Sequence, residues 1–241
     1  MAGRLLAAID RGSLVGYLDW MFENLPPAAR TSPSVARNRG PILSVLQPRL
    51  PVAGVVLEIA AGTGEHAVYH AAALPGLQWQ PSDPDPEAVA SIAAWRAHAG
   101  LANLLPPLLL DASAPDAWGV ERADAIVNIN MIHISPWAAT AGLMQGAARL
   151  LPASGRLFLY GPFLERDVVT APSNLGVDAS LKGRNSDWGI RRLEDVCDLA
   201  DRHGLVLAER VAMPANNLVV IFQKAGSAGS CGLPFPGGKN R

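Results

Sequence analysis

The residues that invite a chemical reading begin in the stretch VVLEIAAGTGEH, from Val55 to His66. An apolar run meets one carboxylate, Glu58, and two glycines, Gly62 and Gly64, follow it. Glycines after a strand permit positive φ and remove Cβ atoms, so a ligand can lie against the main chain. The helix that follows offers free N–H groups to a carboxylate or phosphate. Gly62, Gly64 and Ala67 also satisfy the dinucleotide spacing G-x-G-x-x-G/A. Glu58 argues for a different ligand. A carboxylate inside an apolar run needs a donor or a cation, and a pyrophosphate would repel it.

Two more acids stand at comparable places, Asp83 nineteen residues after Gly64 and Asp111 after a run of leucines. A ligand with a cationic methionine part and an adenosine part satisfies all three, which points to S-adenosylmethionine. Glu58 with the backbone of Ala60, Gly62 and Gly64 is expected to hold the methionine part. Asp83 takes the ribose and Asp111 the adenine amino group, and Pro84, Ala112 and Asn130 complete the cofactor set. NAD sites use the same acid for the ribose, so Asp83 alone does not discriminate.

The acceptor side is expected around NINMIHISPW and YGPF. His133 is the candidate general base, because an unperturbed imidazole titrates near neutrality. Tyr160 is the second catalytic candidate. Arg37 and Asn38, ahead of the first strand, and Asn174 and Trp188, on the far side, form the expected substrate set. His66 is read as a first-turn helix residue near the cofactor, and His70, Trp79, Trp95, Trp118 and Trp137 as structural.

Elements must carry these residues to one place. Strands are expected at Val55–Ile59, Leu77–Ser82, Leu108–Leu110, Ala123–Asn130 and GRLFLYGPF, separated by helices at Glu65–Leu74, Pro86–His98 and Ala139–Leu151. Such alternation implies a parallel sheet covered by helices. After a helix at Leu193–His203, LVLAERVAM and LVVIFQK are joined only by PANN, too short for a crossover, so they pair antiparallel. The left-handed turn is expected at Asn216–Asn217. The fold class is therefore α/β: a Rossmann-like, doubly wound, mostly parallel sheet of seven strands with an antiparallel last hairpin. Residues 1–50 read as an N-terminal helical extension or lid, including an amphipathic segment at Gly3–Phe22 and a helix broken in two at Pro41. Residues 51–225 form the main domain, with a substrate flap at 164–186, and 226–241 form a Gly/Ser/Pro-rich disordered tail.

Composition sets the remaining bounds. The chain has 241 residues, 49% hydrophobic, with a net charge of −1. That balance gives no bulk attraction to nucleic acid or an anionic membrane, and neither partner is expected. Cys197 and Cys231 are too few for a disulfide framework or a zinc site, so no metal is expected and a cytoplasmic location fits. No apolar run is long enough to span a bilayer.

The segments LEIAAGTG, SDPDPEAV and LLLDAS resemble the first three motifs of class I S-adenosylmethionine-dependent methyltransferases. More narrowly, SPSVARNRGPIL, WQPSDPDPEAVASIAAW, NMIHISPW, SNLGVDASL, WGIRRLEDV and MPANNL resemble a methyltransferase-like family, domain of unknown function 938, over about residues 24–224. The resemblance implies the fold and the cofactor, not an acceptor. Arg192 departs from that pattern, standing where an acid is common, and Gly176-Val177 replaces a bulkier pair. The expected activity is methyl transfer to O or N of a small-molecule acceptor. The rival readings are an NAD-dependent oxidoreductase and a non-catalytic binding module.

Overall fold

The computed structural model describes residues 16–17 and 21–226. Most of the Gly3–Phe22 segment and the tail from 227 onward lie outside the described residues. In chain order the elements are α1 (Pro33–Leu46), β1 (Gly54–Ile59), α2 (Glu65–Ala73), β2 (Leu77–Asp83), α3 (Pro86–Ala99) and β3 (Leu108–Leu109). There follow β4 (Ala125–Ile129), α4 (Trp137–Leu150), β5 (Arg156–Gly161), α5 (Pro172–Arg184), α6 (Leu193–Arg202), β6 (Leu205–Met213) and β7 (Asn217–Lys224).

The strands form one sheet in the order β3-β2-β1-β4-β5-β7-β6. β2 runs parallel to β1 and β3, while β7 runs antiparallel to β5 and β6. The seven-stranded Rossmann-like fold with its antiparallel hairpin is thus as the alternation of elements implies. Strand order reverses between β1 and β4, which in open α/β sheets marks where ligands bind. The central strands read as nearly continuous apolar runs because they are covered on both faces: all of β4 is buried, and in β7 Leu218–Phe222 are. β1 starts at Gly54, whose φ of 127° leaves no room for a Cβ beside Asp124, and Asp124 Oδ2 accepts from the Val55 N–H at 2.8 Å.

Two compact units divide the described chain. One runs to Asp111 and includes Ala123–Val127; the other comprises Ala112–Arg122 and the residues from Asn128 onward.

Three local expectations are corrected. α1 is one continuous helix with Pro41 inside it, not two pieces. Proline removes one helical hydrogen bond, and the burial of Val35, Ile42, Val45 and Leu46 along one helix offsets that loss. The left-handed residues of the last hairpin are Ala215 (φ 57°) and Asn216 (φ 56°), one position earlier than expected. The segment 164–186, expected as a flap with no helix assigned to it, contains α5, which occupies thirteen of its residues.

Arg192 also finds its explanation here. It is the N-cap of α6, extended at φ −72° and ψ 134°, and its side chain makes no capping hydrogen bond. An acid at this position would accept from the first-turn N–H groups. Arg192→Asp is expected to stabilise the protein by about 1 kcal/mol, raising Tm by about 2–4 °C in a thermal melt, while Arg192→Ala should leave it nearly unchanged.

Candidate functional site

The glycine loop is built around three left-handed residues, Ala60 (φ 58°), Gly62 (φ 58°) and Gly64 (φ 89°). For alanine this conformation costs roughly 1–2 kcal/mol. The two glycines serve different ends. A Cβ on Gly64 would come within 2.9 Å of Ile92 Cα, so this residue is small because α2 and α3 pack there. A Cβ on Gly62 would meet nothing within 4 Å. Gly62 is therefore a glycine for its backbone conformation, with open space over it. α2 begins directly after the loop with no side-chain cap on its N–H groups.

Glu58 is buried, 1% exposed. Among the described residues only Trp79 donates to its carboxyl, from the indole Nε1 to Oε2 at 2.6 Å. Burial pushes the Glu58 pKa up to about 8; the Trp79 hydrogen bond opposes the rise and nearby Asp83 adds to it. Asp83, also buried, accepts from the Gly62 N–H through Oδ2 at 2.8 Å and from the Asp85 N–H through Oδ1 at 3.0 Å. It clamps the loop, and burial raises its pKa as well. Glu65, absent from the expected set, accepts from the Ser32 N–H at 2.5 Å and from the Thr63 hydroxyl at 3.0 Å, tying the entry of α1 to the loop. Beyond Pro84, Asp85 caps α3 through the Glu87 N–H. Asp111 is exposed, two residues beyond β3.

Asn38 Oδ1 accepts from His66 Nε2 at 2.9 Å, so its side chain is engaged with α2. His66 stacks on His70, and His70 lies 5.1 Å from the Trp79 ring. Burial lowers the pKa of His66 to about 4, helped by Arg39, and that of His70 to about 3, helped by His66. Arg37 is exposed, whereas its neighbour Arg39 lies over the rings of Phe22 and Tyr69 at 3.8 and 4.9 Å.

In the second unit, Asn130 is left-handed (φ 65°) and its N–H donates to the Tyr160 carbonyl at 2.8 Å. Tyr160 is buried on β5. Ala112 packs under α4, where its carbonyl oxygen would lie 2.1 Å from a Cβ on Gly142. His133 is 1% exposed. Its Nδ1 accepts from the Arg191 N–H at 3.3 Å, which places the ring proton on Nε2, and its carbonyl accepts from the Gly189 N–H at 2.9 Å. Burial first, and the Arg191 charge second, lower its pKa to about 3. The expectation of His133 as a general base rests on an imidazole pKa near neutrality, and burial moves it well below that value.

Asn174 and Trp188 are not brought together. Asn174 lines a cavity of about 210 Å³ with Phe163, Met213 and Leu218. Trp188 lines a separate open groove of about 640 Å³ with Trp137 and Arg191. Among the described residues no cluster of three or more His, Cys, Asp and Glu side chains is placed to hold a metal, and no helix is long and apolar enough to cross a membrane.

A family model for protein of unknown function (DUF938) matches residues 29–224. The chain belongs to that family. Among solved structures, it is similar to an O-methyltransferase family protein from Burkholderia thailandensis, with a TM-score of 0.68 at 16% identity over 91% of this chain and 61% of that one. An O-methyltransferase family 2 protein from Planctomyces limnophilus, in complex with apigenin, gives 0.65 at 19% over 91% and 63%. The structure of PigF with SAH gives 0.66 at 15% over 89% and 60%. The chain spans about three-fifths of the length of these proteins, and at such identities the likeness establishes the fold.

The buried titratable groups set the pH dependence of stability. Histidines 66, 70 and 133 have folded pKa values below the ordinary imidazole value, so their contribution is lost as pH falls from about 6.5 towards 3–4. Glu58 has a raised folded pKa, so its contribution is lost as pH rises from the ordinary carboxylate value through about 8. Thermal melts are expected to peak near pH 6.5, and Glu58→Gln should flatten the decline between pH 6.5 and 8 and steepen the acid limb above the ordinary carboxylate value, where Glu58 otherwise offsets part of the histidine loss.

Proposed function

We propose that this protein is an S-adenosylmethionine-dependent methyltransferase that modifies O or N of a small-molecule acceptor. The observation that carries the reading is the pairing of Gly62 with Glu58. A left-handed backbone lies under open space, four residues after a buried carboxyl that has one oxygen held by an indole and, among the described residues, no cation paired with it. A carboxyl in that position suits an ammonium and opposes a phosphate. The shared fold with O-methyltransferases supports the same reading, as does the SAH in PigF. The apigenin in the Planctomyces protein supports a small-molecule acceptor.

When bound, the sulfonium supplies an activated methyl: its C–S bond breaks as a bond to the acceptor O or N forms, the acceptor loses a proton to solvent, and S-adenosylhomocysteine remains. The chain's task is alignment and exclusion of water, which can supply several kcal/mol. In this reading Glu58 binds the ammonium, the Gly62 and Gly64 backbone faces the methionine part, and Asp83 and Asp111 accept from the ribose hydroxyls and the adenine amino group. His133, neutral and with its proton on Nε2, does not serve as the base. Arg191 holds it in place and carries its own charge on the carbonyls of Ile132, Ser135 and Asp187.

Calorimetric titration tests the site. Below about pH 8 Glu58 keeps its proton in the free protein. An ammonium beside it lowers its pKa, so binding releases a proton. Titration with S-adenosylhomocysteine at pH 7, in buffers of different ionisation enthalpy, should show release of nearly one proton, vanishing above pH 8 and in Glu58→Gln. Gly62→Val, which cannot adopt the left-handed conformation without strain, should weaken binding at least about tenfold. Stabilisation by NAD but by neither S-adenosylmethionine nor its demethylated product would overturn the proposal.

A further inference from the structure

The cavity that Asn174 lines sits past the carboxyl end of β5. Phe163 follows that strand by two residues, and Leu218 pairs with its last residue, Gly161. Phe163 is buried, and its ring meets the edge of His133 at 5.1 Å between centroids, so the cavity wall is continuous with the buried imidazole. Ala171, Met213 and Leu218 extend the apolar lining.

The polar groups of the lining are already committed to one another. Arg210 and Glu165 form a two-point pair, Nε to Oε2 at 2.5 Å and Nη2 to Oε1 at 2.7 Å. Such fork-on-fork pairing is the strongest form of carboxylate recognition, so a charged ligand would have to break it. The side-chain amide donors are spent in the same way. Asn174 Nδ2 donates to the Asn216 carbonyl at 2.9 Å, and Asn216 Nδ2 to the Ser173 hydroxyl at 3.2 Å. Asn217 Nδ2 is held by the Pro214 and Ala215 carbonyls inside the hairpin. What remains is the neutral Thr170 hydroxyl and the amide oxygens of Asn174, Asn216 and Asn217, which accept no hydrogen bond from the described residues. The open acceptor of Asn174, a 7%-exposed side chain, suits a ligand hydroxyl or N–H.

Size and rim agree with the lining. A volume of about 210 Å³ is below the roughly 300–1,000 Å³ of drug-sized sites. At the mouth, Val168 and Val169 stand 52% and 96% exposed, apolar surface that an apolar ligand would cover.

We infer that this cavity is the acceptor pocket, and that it takes a compact, uncharged molecule with an apolar body and a hydrogen-bond donor. The inference rests on the methyltransferase reading.

The test uses the full chain saturated with S-adenosylhomocysteine and two ligands of similar shape, p-cresol and 4-hydroxybenzoate, with binding measured by calorimetry or ligand-observed NMR. The neutral phenol should bind at least tenfold more tightly than the anion. Met213→Trp, which fills the cavity, should weaken p-cresol binding at least tenfold while leaving S-adenosylhomocysteine affinity unchanged. Asn174→Leu, which removes the open acceptor, should weaken p-cresol severalfold more than it weakens toluene. If wild-type protein fails to bind S-adenosylhomocysteine, the methyltransferase reading itself falls. If it binds S-adenosylhomocysteine but neither ligand, or holds the anion as tightly as the phenol, or if Met213→Trp binds p-cresol normally, the pocket assignment is overturned.

Discussion

A carboxyl group buried in an apolar strand is the constraint around which the first unit is organised. Glu58 must be satisfied without water, and among the described residues the two side chains that donate to it both come from β2. The Trp79 indole holds the side chain, and the Ser82 hydroxyl donates to the Glu58 carbonyl at 2.8 Å. Asp83, one residue further, reaches back to the glycine loop, and Glu65 closes the loop from the other side onto Ser32. Each of the three acids has its pKa raised by burial, and among the described residues none of them makes an ion pair. Acids gathered in this way favour a cation, because a cation beside them lets a buried carboxyl give up its proton and gain an attractive partner at low dielectric.

The architecture was legible where the chain obeys simple periodicities. Buried strands appear as apolar runs, and the short PANN connection forces an antiparallel hairpin. The misread places are those where a local rule was overridden. Pro41 ordinarily ends a helix, but α1 buries apolar residues on both sides of it and continues. α5 gave no helical signal because it contains Gly176 and Gly183 and buries only Asn174 and Leu181. Gly176 has nothing within 4 Å of its Cβ position and Val177 is 45% exposed, so their departure from the family pattern lies on the surface of that helix.

The site was legible by spacing but not by partnership. Glu58, Gly62 and Asp83 stand out because their types do not fit their surroundings. That Trp79 would be the donor to Glu58, or that Gly64 would be small for the sake of Ile92, depends on side chains brought together by the fold, and no periodicity encodes it. His133 is the sharpest case. Its type and its place after β4 invite a base, but complete burial and the Arg191 backbone donor decide its protonation. Asn174 and Trp188 look alike as flap residues, yet face different spaces.

The two units handle charge in opposite ways. The first keeps Glu58, Asp83 and Glu65 out of ion pairs among the described residues, its Arg30 pairing instead with the outer Asp85 and Glu87, whereas the second cancels its charges locally, Arg210 against Glu165 and Arg191 against main-chain carbonyls. In the proposed reaction that division has a chemical sense. A cationic donor needs acids around its fixed end, while the transfer itself spreads an existing positive charge and creates no new one. Little electrostatic stabilisation is then required where the methyl moves, and a pocket that presents neither a free cation nor a free anion avoids trapping the charge on either partner. Alignment and the exclusion of water are what remain for such a pocket to provide, and a buried, neutral imidazole packed against Phe163 contributes to both by holding the wall rigid.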